Sequence, residues 1–279
     1  MKTLFKSLIL TFALAISATS NAATKGEVLV LLSSETELPL QDGKTFPSGY
    51  YLNEFGIPAD ALMRAGYQLT IVTPKGNQPK PDLRSVDPLY FGGSNDEMHR
   101  IQGIVGELTA PGKIKTLAEV MKAGLARYAA VFIPGGHAPL IDLSNNPEVG
   151  AMLKYFHTQG KPTAAICHGP ITLLAAQENP RGYEQGMITN SQPKAKDWIY
   201  SGYRMTIFSD PEEKVFEESL NGDKLRFYPA KAMAQAGAQM TFANAWQPNV
   251  VVDRELITGQ NPFSDHVLAA ALIEALNKR

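Results

Sequence analysis

Short apolar runs alternate along the chain with stretches in which apolar positions recur at helical spacing. Residues 28–32 (VLVLL), 68–73 (QLTIVT), 129–133 (AAVFI) and 162–166 (PTAAI) are too continuously apolar to keep one face in water, and they read as buried strands. Residues 51–65 and 147–158 read as helices between them, with Pro58 expected to begin the second part of the first. Residues 250–252 and 256–258 suggest a late hairpin around Asp253-Arg254. A last helix is expected from about Pro262 or Ser264 to Asn277, with an apolar face at Val267, Leu268, Ala271, Leu272 and Leu276. Alternating strands and helices predict an α/β fold, a doubly wound and mostly parallel sheet covered on both faces. No linker-like stretch divides residues 23–279, so a single domain is expected. Residues 81–111, rich in Gly and polar side chains, read either as an insertion capping the site or as a plain surface loop.

The N-terminus changes the expected location. Lys2 and Lys6 precede the apolar run 8–16, and Ser20-Asn21-Ala22 follows with small residues where a signal peptidase reads. The run is shorter than the ~20 residues of a membrane span. Residues 1–22 are therefore expected to be a cleaved signal peptide, leaving a periplasmic or secreted protein with no membrane attachment. The 26 Lys plus Arg nearly balance 27 Asp plus Glu, a net charge of −1, which argues against a nucleic-acid partner.

Cys167 is the single cysteine, so no disulfide can form within the chain. An unpaired thiol in an oxidising compartment invites oxidation, and its retention suggests a use. It ends the run AAI and is followed by His168-Gly169-Pro170 and the apolar stretch 171–176. A buried strand meeting a helix through small residues is the architecture of a nucleophile elbow, with Cys in place of Ser. The helix start is expected to favour thiolate and to hold the pKa below the free value of ~8.5. The His168 ring can lie beside the sulfur, and its backbone N–H can face a developing oxyanion. Pro134-Gly135-Gly136-His137 ends the preceding strand. The paired glycines allow backbone to approach ligand closely and can complete an oxyanion hole. His137 reads either as a pocket residue or as part of the loop.

These motifs together resemble the ThiJ/PfpI superfamily: PGGH, then AAICHGP, with Ser48-Gly49-Tyr50-Tyr51-Leu52-Asn53-Glu54 before Pro58, Phe208-Ser209-Asp210-Pro211-Glu212-Glu213, and Thr258-Gly259-Gln260-Asn261-Pro262 near the end. The likeness extends over nearly the whole chain after residue 22. It points to the larger-member branch, which includes glutathione-independent glyoxalase III and stress chaperones. The resemblance implies a flavodoxin-like fold similar to class I glutamine amidotransferase domains, and a homodimer. It implies that Glu54 sits against the sulfur. It favours Glu213 as the acid orienting His168, with Glu212 and Asp210 as rivals. Ser209 three residues before Glu212 also suits an ordinary capping box.

The activity implied is conversion of methylglyoxal or a related 2-oxoaldehyde to a 2-hydroxy acid, with Cys167, His168, Glu54 and Glu213 as the catalytic set and Gly135, Gly136 and His137 around the substrate. No metal or organic cofactor is called for. The alternatives are a periplasmic stress chaperone or thiol redox sensor, or an amidase, peptidase or deglycase using the same elbow. The leader carries the first test: protein isolated from its native host should begin at or near Ala23 by N-terminal sequencing or intact mass. Retention of residues 1–22 would overturn the expectation of export.

Overall fold

The structure is a computed structural model, and it describes residues 24–279; the expected signal peptide lies outside them. Strands β1 (Gly26–Leu31), β2 (Tyr67–Thr73), β3 (Lys115–Thr116), β4 (Tyr128–Ile133), β5 (Thr163–Ile166), β6 (Val250–Asp253) and β7 (Leu256–Gly259) form one sheet in the order β6-β7-β5-β4-β1-β2-β3. Every neighbouring pair is parallel except the hairpin β6–β7, in which Asp253 faces Leu256. Arg254, at the hairpin turn, takes φ 57°.

The strands alternate cleanly between two cores. Leu29, Leu31, Val131 and Ile133 face one side, which helix α3 (Pro147–Thr158) covers. Val28, Val30, Ala130 and Phe132 face the other, beneath α1 (Leu52–Arg64), α2 (Asn95–Leu108) and the C-terminal α5 (Asp265–Asn277). This two-sided burial is why the strands are apolar at successive positions rather than at every second one.

Three local expectations need correction. Helix α1 runs through Pro58 instead of restarting there. Proline there removes one donor and its ring crowds the carbonyl four residues back, and the helix accommodates both against a buried face. Val267 stands on the solvent side of α5, 51% exposed, whereas Leu268, Leu272 and Leu276 carry the buried stripe. Residues 81–111 are not a loop: 3-10 turns at Leu83–Ser85 and Pro88–Phe91 lead into α2, which packs on α1. Its polar composition reflects an amphipathic helix whose buried side has just Met98, Ile101 and Val105.

Parallel strands place their C-terminal ends on one edge, where open α/β sheets bind ligands. That edge holds Ser33 and Ser34 after β1, Pro134-Gly135-Gly136 after β4, and Cys167 after β5.

Candidate active site

Cys167 follows β5 directly and takes φ 58°, the left-handed region that non-glycine residues avoid at about 1–2 kcal/mol. Two backbone hydrogen bonds hold it there. Its N–H donates to the Gly259 carbonyl at 2.9 Å, and its own carbonyl accepts from Phe208 N–H at 3.0 Å. The reversal turns the side chain out of the strand and leads into a 3-10 helix, Gly169–Ala176. The elbow expected from the sequence is present.

Gly135 passes beside the elbow. A Cβ there would press on Glu54 Oε2 and lie 2.6 Å from Cys167 Cβ, so only glycine lets the carboxyl and the sulfur share this space. Gly136 has φ 80°, and a Cβ would strike the Gly49 carbonyl. Its N–H faces both Glu54 and Cys167, the position of an oxyanion donor.

His168 lies against the sulfur, Nδ1 to Sγ 3.2 Å, and its Nε2 is 2.6 Å from Glu213 Oε1. Ionised Glu213 can only accept, so Nε2 carries the proton and Nδ1 presents its lone pair to the thiol. Burial opposes the Glu213 charge, but His168 and His137 outweigh it and hold the carboxyl down at about 2. The sulfur, the imidazole and the carboxylate form a Cys–His–acid chain.

Glu213 is thus the acid beside His168, and neither rival takes that place. Helix α4 (Asp210–Glu218) begins with a capping box in which Ser209 N–H and Oγ both donate to Glu212 Oε2, at 2.9 and 2.6 Å. Glu212 also accepts from Trp246 N–H at 2.7 Å and Asn261 Nδ2 at 2.9 Å. The Thr258–Pro262 segment therefore serves the site twice, through Gly259 on the elbow and Asn261 on the acid-bearing helix. Asp210 is partly exposed and lies one residue before the proline of α4.

Glu54 is fully buried in the first turn of α1, its carboxyl against Cys167 and Gly136 N–H, and neither oxygen reaches a full hydrogen bond. Burial chiefly, with Asp265 and Asp82 nearby, raises it from 4.5 to about 8. The thiol behaves otherwise than expected: burial and the Glu54 carboxylate push Cys167 well above the ordinary cysteine range. The sequence shows a helix start behind the sulfur but not the carboxyl in front of it. Two acids facing each other without water cannot both ionise, so the pair retains at least one proton at neutral pH.

His137, expected around the substrate or in the loop, turns toward the acid of the chain. It is buried with Nε2 3.1 Å from Glu213 Oε2, its ring 3.9 Å from that of His168. Burial, then the neighbouring His168, lowers it to about 4, so it is neutral. His137, His168 and Glu213 are close enough to share a cation. Both Glu213 oxygens are already engaged by imidazole nitrogens, so the trio fits a hydrogen-bond network.

Aromatic residues that the sequence did not single out surround this centre. Phe208 stacks on His168 at 4.7 Å, and Trp246 meets Phe208 edge-on at 5.6 Å. Tyr51 contacts Tyr90, and Tyr90 contacts Phe263, at 5.5 and 5.8 Å. Tyr90 brings the 81–111 segment near Glu54 and Cys167. No periodicity marks these residues, which come from loops and turns far apart in the chain.

A sharp turn after a central parallel strand, bearing a cysteine backed by histidine and glutamate, defines the cysteine-elbow class of α/β proteins. Residues 46–182 match the DJ-1/PfpI family, and the chain belongs to that ThiJ/PfpI superfamily. The protein/nucleic acid deglycase HchA of Pseudomonas aeruginosa strain UCBPP-PA14 is 26% identical over 256 residues, covering 89% of this chain and 81% of that protein. The protein of the same name from Staphylococcus aureus strain bovine RF122 is 27% identical, with 91% and 81% covered. Among solved structures, the Rapid Encystment Protein 24 KDa of Francisella tularensis superposes with a TM-score of 0.71 at 23% identity, covering 90% of this chain and 99% of that one. Glyoxalase III from Candida albicans gives 0.64 at 21%, covering 90% and 97%.

Glu54 yields a pH test. Unfolded, it loses its proton near 4.5; folded, it keeps it to about 8. The folded state therefore binds more protons between those values, and this group's contribution falls as pH rises through that window. Denaturant unfolding should show Glu54→Gln gaining stability relative to wild type as pH is raised from about 5 to about 8. A constant difference across that range would mean that Glu54 is ionised throughout.

Proposed function

We propose that this protein is an enzyme acting on reactive carbonyl compounds, and specifically that it converts methylglyoxal or a related 2-oxoaldehyde to the 2-hydroxy acid. One observation carries the reading: a single buried sulfur has a separate proton carrier on each side, His168 Nδ1 at 3.2 Å and the Glu54 carboxyl facing it. An internal redox isomerisation needs both, one for the thiol proton and one for the carbon-bound proton. The similarity to the HchA deglycases, over most of both chains, supports a carbonyl substrate.

In this reading the sulfur attacks the aldehyde carbon while its proton passes to His168, giving a hemithioacetal. The Gly136 and His168 backbone N–H groups stabilise the oxyanion. Glu54 first gives its own proton to that oxyanion and then, as carboxylate, takes the hydrogen from the former aldehyde carbon and returns it to the adjacent carbon through an enediol. The product is a thioester of the 2-hydroxy acid, and water releases the acid and restores the thiol. The substrate's own carbons exchange oxidation state, so the overall reaction adds only water.

A deglycase reading uses the same first step, with the sulfur attacking a carbonyl adduct carried on an amine, and the names of the relatives favour it as the second possibility. Export and a homodimer belong to the same proposal. The leader-like residues 1–22 support the first, and the family resemblance supports the second.

The mature protein should consume methylglyoxal and release lactate, and Cys167→Ser should abolish this. Glu54→Gln should lower turnover by ~10²-fold or more, the usual scale for a lost general acid–base group. Release of free amine from a methylglyoxal-treated peptide, without turnover of any free 2-oxoaldehyde, would replace the glyoxalase reading by the deglycase one.

A further inference from the structure

The Cys–His–acid chain has a fourth member that the chemistry above does not use. Glu213 offers one oxygen to each of two imidazoles: Oε1 to His168 Nε2 at 2.6 Å and Oε2 to His137 Nε2 at 3.1 Å. The same reasoning that fixes the proton on His168 Nε2 fixes it on His137 Nε2, because the carboxylate can only accept. His137 Nδ1 is then a bare lone pair, and it is buried without a partner. A proton there would be an unsatisfied buried donor, so the ring has a single useful bond, the one to Glu213.

Stacking holds the ring in place. The His137 ring lies 3.9 Å from His168 and 4.0 Å from Phe216, with small tilts of 37° and 33°. On the far face of this column the Arg84 guanidinium sits 4.6 Å from the Phe216 ring, itself tied to Asp82. Phe208 closes the other end at 4.7 Å from His168. Charged and titratable groups around the two imidazoles are Cys167 and Glu54 on the sulfur side, Glu213, Glu212 and Asp210 at the start of α4, and Arg84 beyond Phe216.

We infer that His137 is a positioning residue that sets the proton affinity of His168 by dividing the Glu213 carboxylate between two donors. His168 must take the thiol proton and later return it. A carboxylate that gave both oxygens to His168 alone would hold the imidazolium too firmly for the return step. A second hydrogen bond to the same carboxylate spreads its charge and fixes its plane, so that Oε1 stays aimed at Nε2.

The inference builds on the proposed role of His168 as proton acceptor, but its test is made on the resting protein without substrate. The His168 ring is titrated by NMR in wild type, His137→Phe and His137→Gln. Phe keeps the stack and removes the donor, so the His168 midpoint should rise by about one pH unit, the tenfold in proton affinity that one hydrogen bond to a charged group is worth. Gln restores a donor to Glu213 and should bring the midpoint back most of the way. Alkylation of Cys167 by iodoacetamide near neutral pH should become faster in His137→Phe and fall back in His137→Gln, because a more basic imidazole favours the thiolate. An unchanged or lowered midpoint in His137→Phe overturns the inference, since loss of packing alone gives no upward shift reversed by Gln. Should the Phe variant not fold, the wild-type spectrum decides: His137 must be neutral with its proton on Nε2 at pH ~6, and a cationic or Nδ1-protonated ring contradicts the division of the carboxylate. Absence of methylglyoxal turnover in the same preparation would overturn the glyoxalase reading and leave this result standing.

Discussion

The contact between the Glu54 carboxyl and the Cys167 sulfur is the constraint around which the rest of the site is arranged. Both groups are buried, and burial raises the hold of each on its proton; the Glu54 carboxylate raises that of the thiol further, while the contact with Cys167 offsets part of the rise at Glu54. Such a pair is unfavourable in isolation, because neither charge is hydrated and the carboxyl lacks a full hydrogen bond. It persists because three rigid pieces are fixed independently. Helix α1 brings Glu54 in its first turn. The loop after β4 supplies Gly135, without a side chain, and Gly136 with its N–H. The elbow after β5 points the sulfur inward at φ 58°. Strain of this kind at a cleft edge is characteristic of sites whose surroundings overdetermine the backbone.

The opposing side of the sulfur is organised by charge. Glu213 is the fixed anion, kept ionised by two imidazoles despite complete burial. Its helix is anchored by Glu212, which bonds Ser209, Trp246 and Asn261 together. Adjacent glutamates thus divide the work. One builds the helix start, and the other faces the site. The segment Thr258–Pro262 links both halves, since Gly259 accepts from the Cys167 N–H and Asn261 donates to Glu212. Displacing that segment would loosen the elbow and the acid together.

How much of this was readable depends on the range of the interaction. The strands and the main helices were legible because burial on both sheet faces leaves continuous apolar runs, as in 28–32 and 129–133. The elbow was legible because its parts are consecutive: AAI, Cys167, His168, Gly169. Glu54 and Glu213 came through family resemblance, since a buried carboxylate in the first turn of a helix looks like any other there. The resemblance favoured Glu213 over Glu212 and Asp210, and no local pattern makes that choice, since it depends on which face of α4 meets His168. The state of the thiol was misread for the same reason. The local helix start that lowers a cysteine pKa lies next to it in sequence, while the carboxylate that raises it lies 113 positions away at Glu54. His137 was read as a pocket residue or part of the loop, and its bond to Glu213 left no local signal, because Glu213 approaches it from a distant helix. The aromatic surround, from Tyr51 to Phe263, left no pattern at all.

The central claim, that the Glu54 carboxyl facing the sulfur keeps its proton in the resting protein, can be read directly by infrared difference spectroscopy with carboxyl-labelled glutamate. At pH ~7, wild type should show a protonated carboxylic acid band that is absent from Glu54→Gln, since Glu54 keeps its proton to about 8. Alkylating Cys167 removes the facing acid and should shift that band and its titration. A wild-type spectrum with no protonated glutamate at pH ~6, well above the ordinary carboxyl range, would show Glu54 to be an ordinary carboxylate and contradict the account.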